Sequence, residues 1–217
     1  KEGEAVSQYD GPTLEENGFI KFDFLGLKNL SVINVARQLI LERHGIDIDP
    51  DELEPEDPEV FRTIQKGYTQ GIFQLESTGM TKVFTGLEYV DFDSLIAGVS
   101  LYRPGPMQHI PEYQERANGF KEIEYFHDDA KDILEPTFGI MIYQEQLMEL
   151  SGVFAGYSPG AQDSLRKATG KKSQKVMNEV LPKLAQDVIS KGYSTSTSEE
   201  LVRLIEPFVG WNRPFAS

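Results

Sequence analysis

The chain has 217 residues, 39% of them hydrophobic and 11% aromatic, enough for one large domain or two small ones with packed cores. It holds no cysteine, which excludes a disulfide framework and thiolate chemistry, and no apolar run approaches the roughly 20 residues of a membrane span. A net charge of −14 opposes phosphate binding unless cations are gathered on one face, and they are: residues 160–191 hold seven Lys/Arg against three acids, a local +4 in an otherwise more acidic chain. By charge alone this island reads either as a solvated helix face or as a phosphate-binding surface. The opening Lys1-Glu2-Gly3-Glu4 lacks the apolar stretch of a signal peptide, and the composition suits a reducing cytosol.

Residues 1–18 are polar and read as an entering loop. Gly18–Leu25 alternates apolar and polar residues around Asp23 and predicts a strand. Leu27, Leu30, Ile33, Ala36, Leu39 and Ile40 recur at helical spacing, and Gly45 closes that helix. Residues 46–59 carry eight acids and no base, broken by Pro50, Pro55 and Pro58, as expected of a surface connection. Asp57-Pro58 supplies an N-cap and first-turn proline for a helix through Gln65, stopped by Gly67. Gly71–Leu75 predicts a second short strand, with helices following at 79–85 and 93–101. Arg103-Pro104-Gly105-Pro106 predicts a rigid turn.

A loose stretch with one or two helices runs to Leu134. Gly139–Tyr143 reads as a strand or buried segment leading into a helix through Val153. Ser158-Pro159 caps a helix that carries Asp163, Arg166 and Lys167 and ends at Gly170. A long amphipathic helix is predicted over 173–191, and Thr197-x-x-Glu200 predicts a capping box for the last helix.

Several apparent sites fail on spacing. Asp91-Phe92-Asp93 suggests paired metal carboxylates, but Asp91 stands where an N-cap belongs. Asp47, Asp49 and Asp51 imitate a calcium loop whose required glycine is Glu52 and whose twelfth position is Pro58. Gly170-Lys171-Lys172-Ser173 lacks the earlier glycine of a phosphate loop, Leu165 standing in its place. His44, His109 and His127 have no metal-ligand spacing and read as surface histidines.

Taken in order, Lys21-Phe22-Asp23-Phe24-Leu25-Gly26-Leu27, Gly71-Ile72-Phe73-Gln74-Leu75-Glu76-Ser77, Leu101-Tyr102-Arg103-Pro104-Gly105-Pro106-Met107, Leu134-Glu135-Pro136-Thr137-Phe138-Gly139-Ile140, Tyr143-Gln144-Glu145-Gln146, Gly156-Tyr157-Ser158, Ala161-x-Asp163 and Leu165-Arg166-Lys167-Ala168-x-Gly170-Lys171-Lys172 form a series. This series resembles the C-family bacterial replicative DNA polymerases, the DNA polymerase III alpha subunit family, from the end of the palm through the fingers. The match covers roughly residues 8–175. The ending Gly210-Trp211-Asn212-Arg213-Pro214-Phe215 departs from the family's Gly-Phe-Asn-Lys-Ser-His type of loop, so no role is carried onto it.

The resemblance implies an α+β, mostly helical fold. Residues 1–80 would form the C-terminal part of a polymerase beta-like nucleotidyltransferase palm, and residues 81–217 helical fingers. It implies template-directed DNA synthesis in chromosomal replication, using two Mg2+ ions, primer-template DNA and dNTPs. The sliding clamp, clamp loader and proofreading subunit would meet parts of the enzyme outside this chain. The expected location is the bacterial cytoplasm, at the nucleoid, with no membrane.

By the same resemblance Asp23 is the third metal-site aspartate and the catalytic residue, the family's other two palm aspartates lying upstream of this chain. The fragment alone is therefore expected to be inactive. Lys21, Arg103, Arg166 and Lys167 are expected to meet nucleotide phosphates, and Lys171 and Lys172 the DNA backbone. For Lys21 the alternative is an ion pair with Asp23, and for Arg103 a structural ion pair. Tyr143 reads as a base-stacking or a core residue. The rivals to the polymerase reading are a non-catalytic derivative that keeps the fingers to bind DNA or a partner, and an unrelated acidic helical interaction domain, whose mark would be the absence of a basic groove.

Overall fold

A computed structural model of the chain describes residues 3, 5–103, 106–170 and 176–209. The chain divides into two compact units, residues 1–53 and 54–217.

In the first unit the entering segment contains a short helix, α1 (Gly11–Glu16), where a loop was predicted. Asp10 starts it by accepting the Thr13 N–H at 3.2 Å, with Pro12 in the first turn. The predicted helix follows as α2 (Lys28–His44), and Gly45 ends it in the left-handed region at φ 67°, donating its N–H to Leu41 at 2.9 Å. None of the residues of α2 is buried. Between α1 and α2 the predicted strand at 18–25 has no regular structure. A strand needs a neighbour to take its backbone N–H and C=O groups, and no strand is assigned anywhere among the described residues. The local alternation survives without a ladder: Phe22 and Phe24 stack with ring centroids 6.4 Å apart, and Lys21 pairs with Asp23 at 3.2 Å.

The second unit is built on two cores. In the first, α3 (Pro58–Gln65) contributes Phe61 and Ile64, and α4 (Thr78–Thr85) contributes Met80, Val83 and Phe84. Leu101 of α5 (Phe92–Leu101) and Tyr113 of α6 (Ile110–Ala117) complete it. Asp57, Ser77 and Asp91 cap α3, α4 and α5 by accepting the N–H of Glu59, Met80 and Ser94. Gly98 lets α5 lie close on α4, because a Cβ there would sit 2.7 Å from the Phe84 ring. Residue 80, the expected palm–fingers boundary, lies inside α4.

The second core joins α7 (Lys131–Leu134), α8 (Gln144–Ala155), α9 (Pro159–Thr169), α10 (Leu181–Ser190) and α11 (Thr195–Ile205). Leu134, Leu147, Leu150, Phe154, Leu165, Leu184, Val188, Leu201 and Ile205 fill it. In place of one helix over 173–191, a π-helical turn at Val176–Val180 precedes α10, while residues 173–175 lie outside the described residues. Pro182, in the first turn of α10, has no N–H to continue a regular ladder from below. The last helix is capped three residues before the predicted cap: Ser194 Oγ accepts the Thr197 N–H at 3.0 Å, so Thr197 lies within α11.

The segment predicted as a strand or buried stretch at 139–143 runs between the two cores. Ile140 and Ile142 enter one core and Met141 the other, the period-2 alternation of extended backbone. Its N–H groups are met by a side chain rather than a strand. Gln146 Oε1 accepts from Ile142 N at 2.8 Å and Tyr143 N at 2.9 Å. The second expected strand, 71–75, is a run of turns, with Gly71 at φ 79° and Gln74 at φ 64° and bonds from Ile72 to Thr69 and Leu75 to Ile72.

Candidate functional site

Two cations of the basic island, Arg166 and Lys167, lie on α9. Leu165 and Thr169 are buried and fix the inner side of the helix, so Arg166 and Lys167 lie toward its outer side. Pro159 occupies the first turn, although the Ser158 side chain makes no cap bond, and Gly170 ends the helix with its N–H on Arg166 O at 3.0 Å.

Asp163 stands three and four residues before the two cations, the spacing that places side chains together on a helix. Arg166 Nε and Nη2 both donate to Asp163 Oδ1, at 3.1 and 2.7 Å, while Lys167 Nζ reaches Asp163 Oδ2 at 2.7 Å. Arg166 Nη1 faces Gln144 Oε1 at 3.4 Å, at the start of α8. The Lys167 and Arg166 bonds hold the Asp163 carboxyl below the ordinary carboxylate range. The structure therefore brings Arg166 and Lys167 together, and pairs both with Asp163 of the same helix. Lys171 and Lys172 lie outside the described residues.

Arg103 is exposed, and its backbone turns tightly, its N–H on Leu101 O at 2.7 Å and its C=O accepting from Met107 at 3.1 Å. Pro104 and Gly105 of the predicted rigid turn lie outside the described residues. Asp23 and Lys21 are exposed and paired as described above. Asp23 offers a single carboxylate, and magnesium needs several oxygens around it. Among the described residues no group of three or more His, Cys, Asp and Glu side chains is placed to hold a metal, so Asp23 could serve there only as one ligand of a site completed by others.

Asp91 is an N-cap: its Oδ1 accepts from Ser94 N at 2.7 Å and Ser94 Oγ at 2.6 Å. It borders a cavity of about 480 Å³ with Asp93, Glu56, Arg62 and Tyr89. Tyr143 packs partly buried against the first core, and burial pushes its phenol up to about 12. The surface reading of the histidines holds for His44. His109 is half-buried, with burial holding its imidazole below the ordinary value, and the His127 ring packs edge-on against Phe154 and Tyr193.

One cluster was missed. Arg116 of α6 has only 9% of its side chain exposed; it donates Nη2 to Glu112 Oε1 at 2.9 Å and Nη1 to Phe138 O at 2.9 Å, and Lys121 Nζ adds a 2.6 Å bond to the same carboxylate oxygen. The Glu112–Arg116 spacing of four was visible in the sequence, but the burial that gives it weight was not.

A comparison with known families matches residues 29–192 to the bacterial DNA polymerase III alpha subunit finger domain, and the chain belongs to that family. Among curated proteins it is similar to the DNA polymerase III subunit alpha of Aquifex aeolicus (strain VF5), 41% identical over 214 residues, 98% of this chain and 18% of that protein. It is likewise similar to that of Thermus aquaticus, 39% identical over 224 residues, 100% of this chain and 18% of that protein. With that of Bacillus subtilis (strain 168) it shares 38% identity over 217 residues, 99% of this chain and 20% of that protein. The chain thus spans about a fifth of the length of these relatives. No helix among the described residues is long and apolar enough to cross a membrane.

Proposed function

We propose that this chain serves template-directed DNA synthesis as part of a bacterial replicative polymerase, with the residues before about 29, Asp23 among them, belonging to the end of a nucleotidyltransferase palm of α+β class and the helices beyond to the fingers. The observation that carries this reading is the placement of Arg166 and Lys167 together on α9, within the stretch matched to the finger domain. Two cations side by side suit the charge and geometry of phosphate oxygens.

Asp23 supplies one carboxylate to a metal site completed by acids outside this chain, and the chain alone does not extend a primer. When bound there, two magnesium ions would stabilise the attacking and leaving oxygens of nucleotidyl transfer. Lys21, which pairs with Asp23 at 3.2 Å, would be available to substrate phosphate if that carboxylate served as a metal ligand. Arg166 and Lys167 orient the triphosphate, Arg103 adds a phosphate contact, and Lys171 and Lys172 follow the DNA backbone. The partners are primer-template DNA and dNTPs, with clamp, clamp loader and proofreading subunit meeting other parts of the enzyme. The working place is the cytoplasm, at the nucleoid.

Nucleotide kinetics test this reading. In a full-length alpha subunit carrying this segment, Arg166→Ala and Lys167→Ala should raise the Michaelis constant for dNTP and leave the fold intact, since alanine suits an exposed helix position. Unchanged nucleotide kinetics in both variants would make the island a solvated helix face.

A further inference from the structure

The phosphate reading leaves Asp163 unexplained. A surface meant for anions carries a carboxylate at its centre, and that carboxylate uses both its oxygens on the two cations, Oδ1 on Arg166 and Oδ2 on Lys167. We propose that Asp163 is an internal competitor for the phosphate site: it holds Arg166 and Lys167 while the site is empty and yields them when a polyphosphate arrives. This rests on the phosphate reading of α9.

The geometry suits displacement. All three side chains are partly open to solvent, at 32% for Arg166, 37% for Asp163 and 67% for Lys167, where ion pairs are weak and screened. One carboxylate carries a single negative charge shared between two cations, whereas a triphosphate brings several charges and many acceptor oxygens. A singly charged anion gains little by replacing Asp163, because it only exchanges one carboxylate-like partner for another. Asp163 therefore sets a threshold of charge, a repulsive element built beside an attractive one. It also keeps the two cations together in the empty site, with Gln144 Oε1 facing the remaining Arg166 nitrogen.

The division of oxygens makes the test graded. In Asp163→Asn the amide oxygen can stay with Arg166, while the amide nitrogen cannot accept from Lys167. The substitution therefore releases Lys167 first, and Asp163→Ala releases both cations. Isothermal titration of the 217-residue chain with inorganic tripolyphosphate at low salt, alongside thermal melts to verify folding, reads the effect. Asp163→Asn should lower Kd by about two- to fivefold, the range expected for releasing an exposed ion pair. Adding Lys167→Ala should remove most of that gain, which a long-range charge effect would not do. Tightening that persists in full without Lys167, or weaker binding by Asp163→Asn and Asp163→Ala alike, would overturn the competitor role while leaving the phosphate site standing, provided that Arg166→Ala weakens tripolyphosphate. If Arg166→Ala changes nothing in the same titration, the phosphate site itself falls, and the competitor role with it.

Discussion

Gln146 binds back to Ile142: its Oε1 accepts the Ile142 N–H at 2.8 Å, four residues upstream and between two cores. The same amide is used fully. Oε1 also accepts from Tyr143 N at 2.9 Å, and Nε2 donates to Ile133 O at 3.1 Å and Thr137 Oγ1 at 2.7 Å. Four bonds saturate a glutamine amide, and here they join α8, the extended segment before it and the end of α7.

Replacing Gln146 by leucine should therefore destabilise the second unit by about 2–5 kcal/mol, because two backbone donors lose their partner in a buried setting. Urea unfolding followed by circular dichroism measures this. A midpoint equal to that of the parent chain would show that water replaces the amide at no cost.

Gly139 permits the turn that starts this segment. Its φ is 79°, and a Cβ there would meet Arg116 Nη1 and the Glu124 carbonyl oxygen, each at 2.8 Å. Backbone cannot give way as a side chain does, so Gly139→Ala should cost about 1–3 kcal/mol in the same unfolding measurement. An unchanged midpoint would mean that the turn relaxes freely.

Part of the glycine and helix-cap chemistry was legible in the sequence, whereas the caps expected at Ser158 and Thr197 and the strands were not. Asp57-Pro58, Asp91 and Gly45 act locally, through bonds to residues two to four positions away, so the sequence carries their partners with it. The alternation at 139–143 was equally legible, but alternation only states that successive side chains face opposite ways. Here the two sides are two helical cores and the N–H groups go to Gln146, so the pattern holds without a strand. At 71–75 the glycine and the left-handed Gln74 bend the chain into turns that composition alone did not show. In the candidate site, the gathering of Arg166 and Lys167 followed from their adjacency. Their capture by Asp163 followed from spacing and was overlooked because the island was weighed as a sum of charges.

Acid stability should depend on Glu112. Its bond from Lys121 and the nearby Arg116 hold its carboxyl below the ordinary value of 4.5. A carboxylate lowered on folding contributes stability that is present above its unfolded value and is lost as pH falls through the folded one. Melting temperature should therefore drop as pH is lowered below about 4.5, and Glu112→Gln should flatten that acid limb while lowering stability at neutral pH. An acid limb identical to that of the parent chain would place the sensitivity elsewhere.

If Asp23 is a metal ligand, the rate of single-nucleotide incorporation by a full-length alpha subunit carrying this segment depends on its charge. Asp23→Asn keeps the side-chain shape and removes the charge that a metal ligand needs. The expected result is a loss of several orders of magnitude in rate, each tenfold equal to about 1.4 kcal/mol of barrier, with an unchanged melting temperature. Near-normal incorporation by the Asp23→Asn enzyme would contradict it and leave Asp23 as the surface partner of Lys21 that their 3.2 Å contact describes.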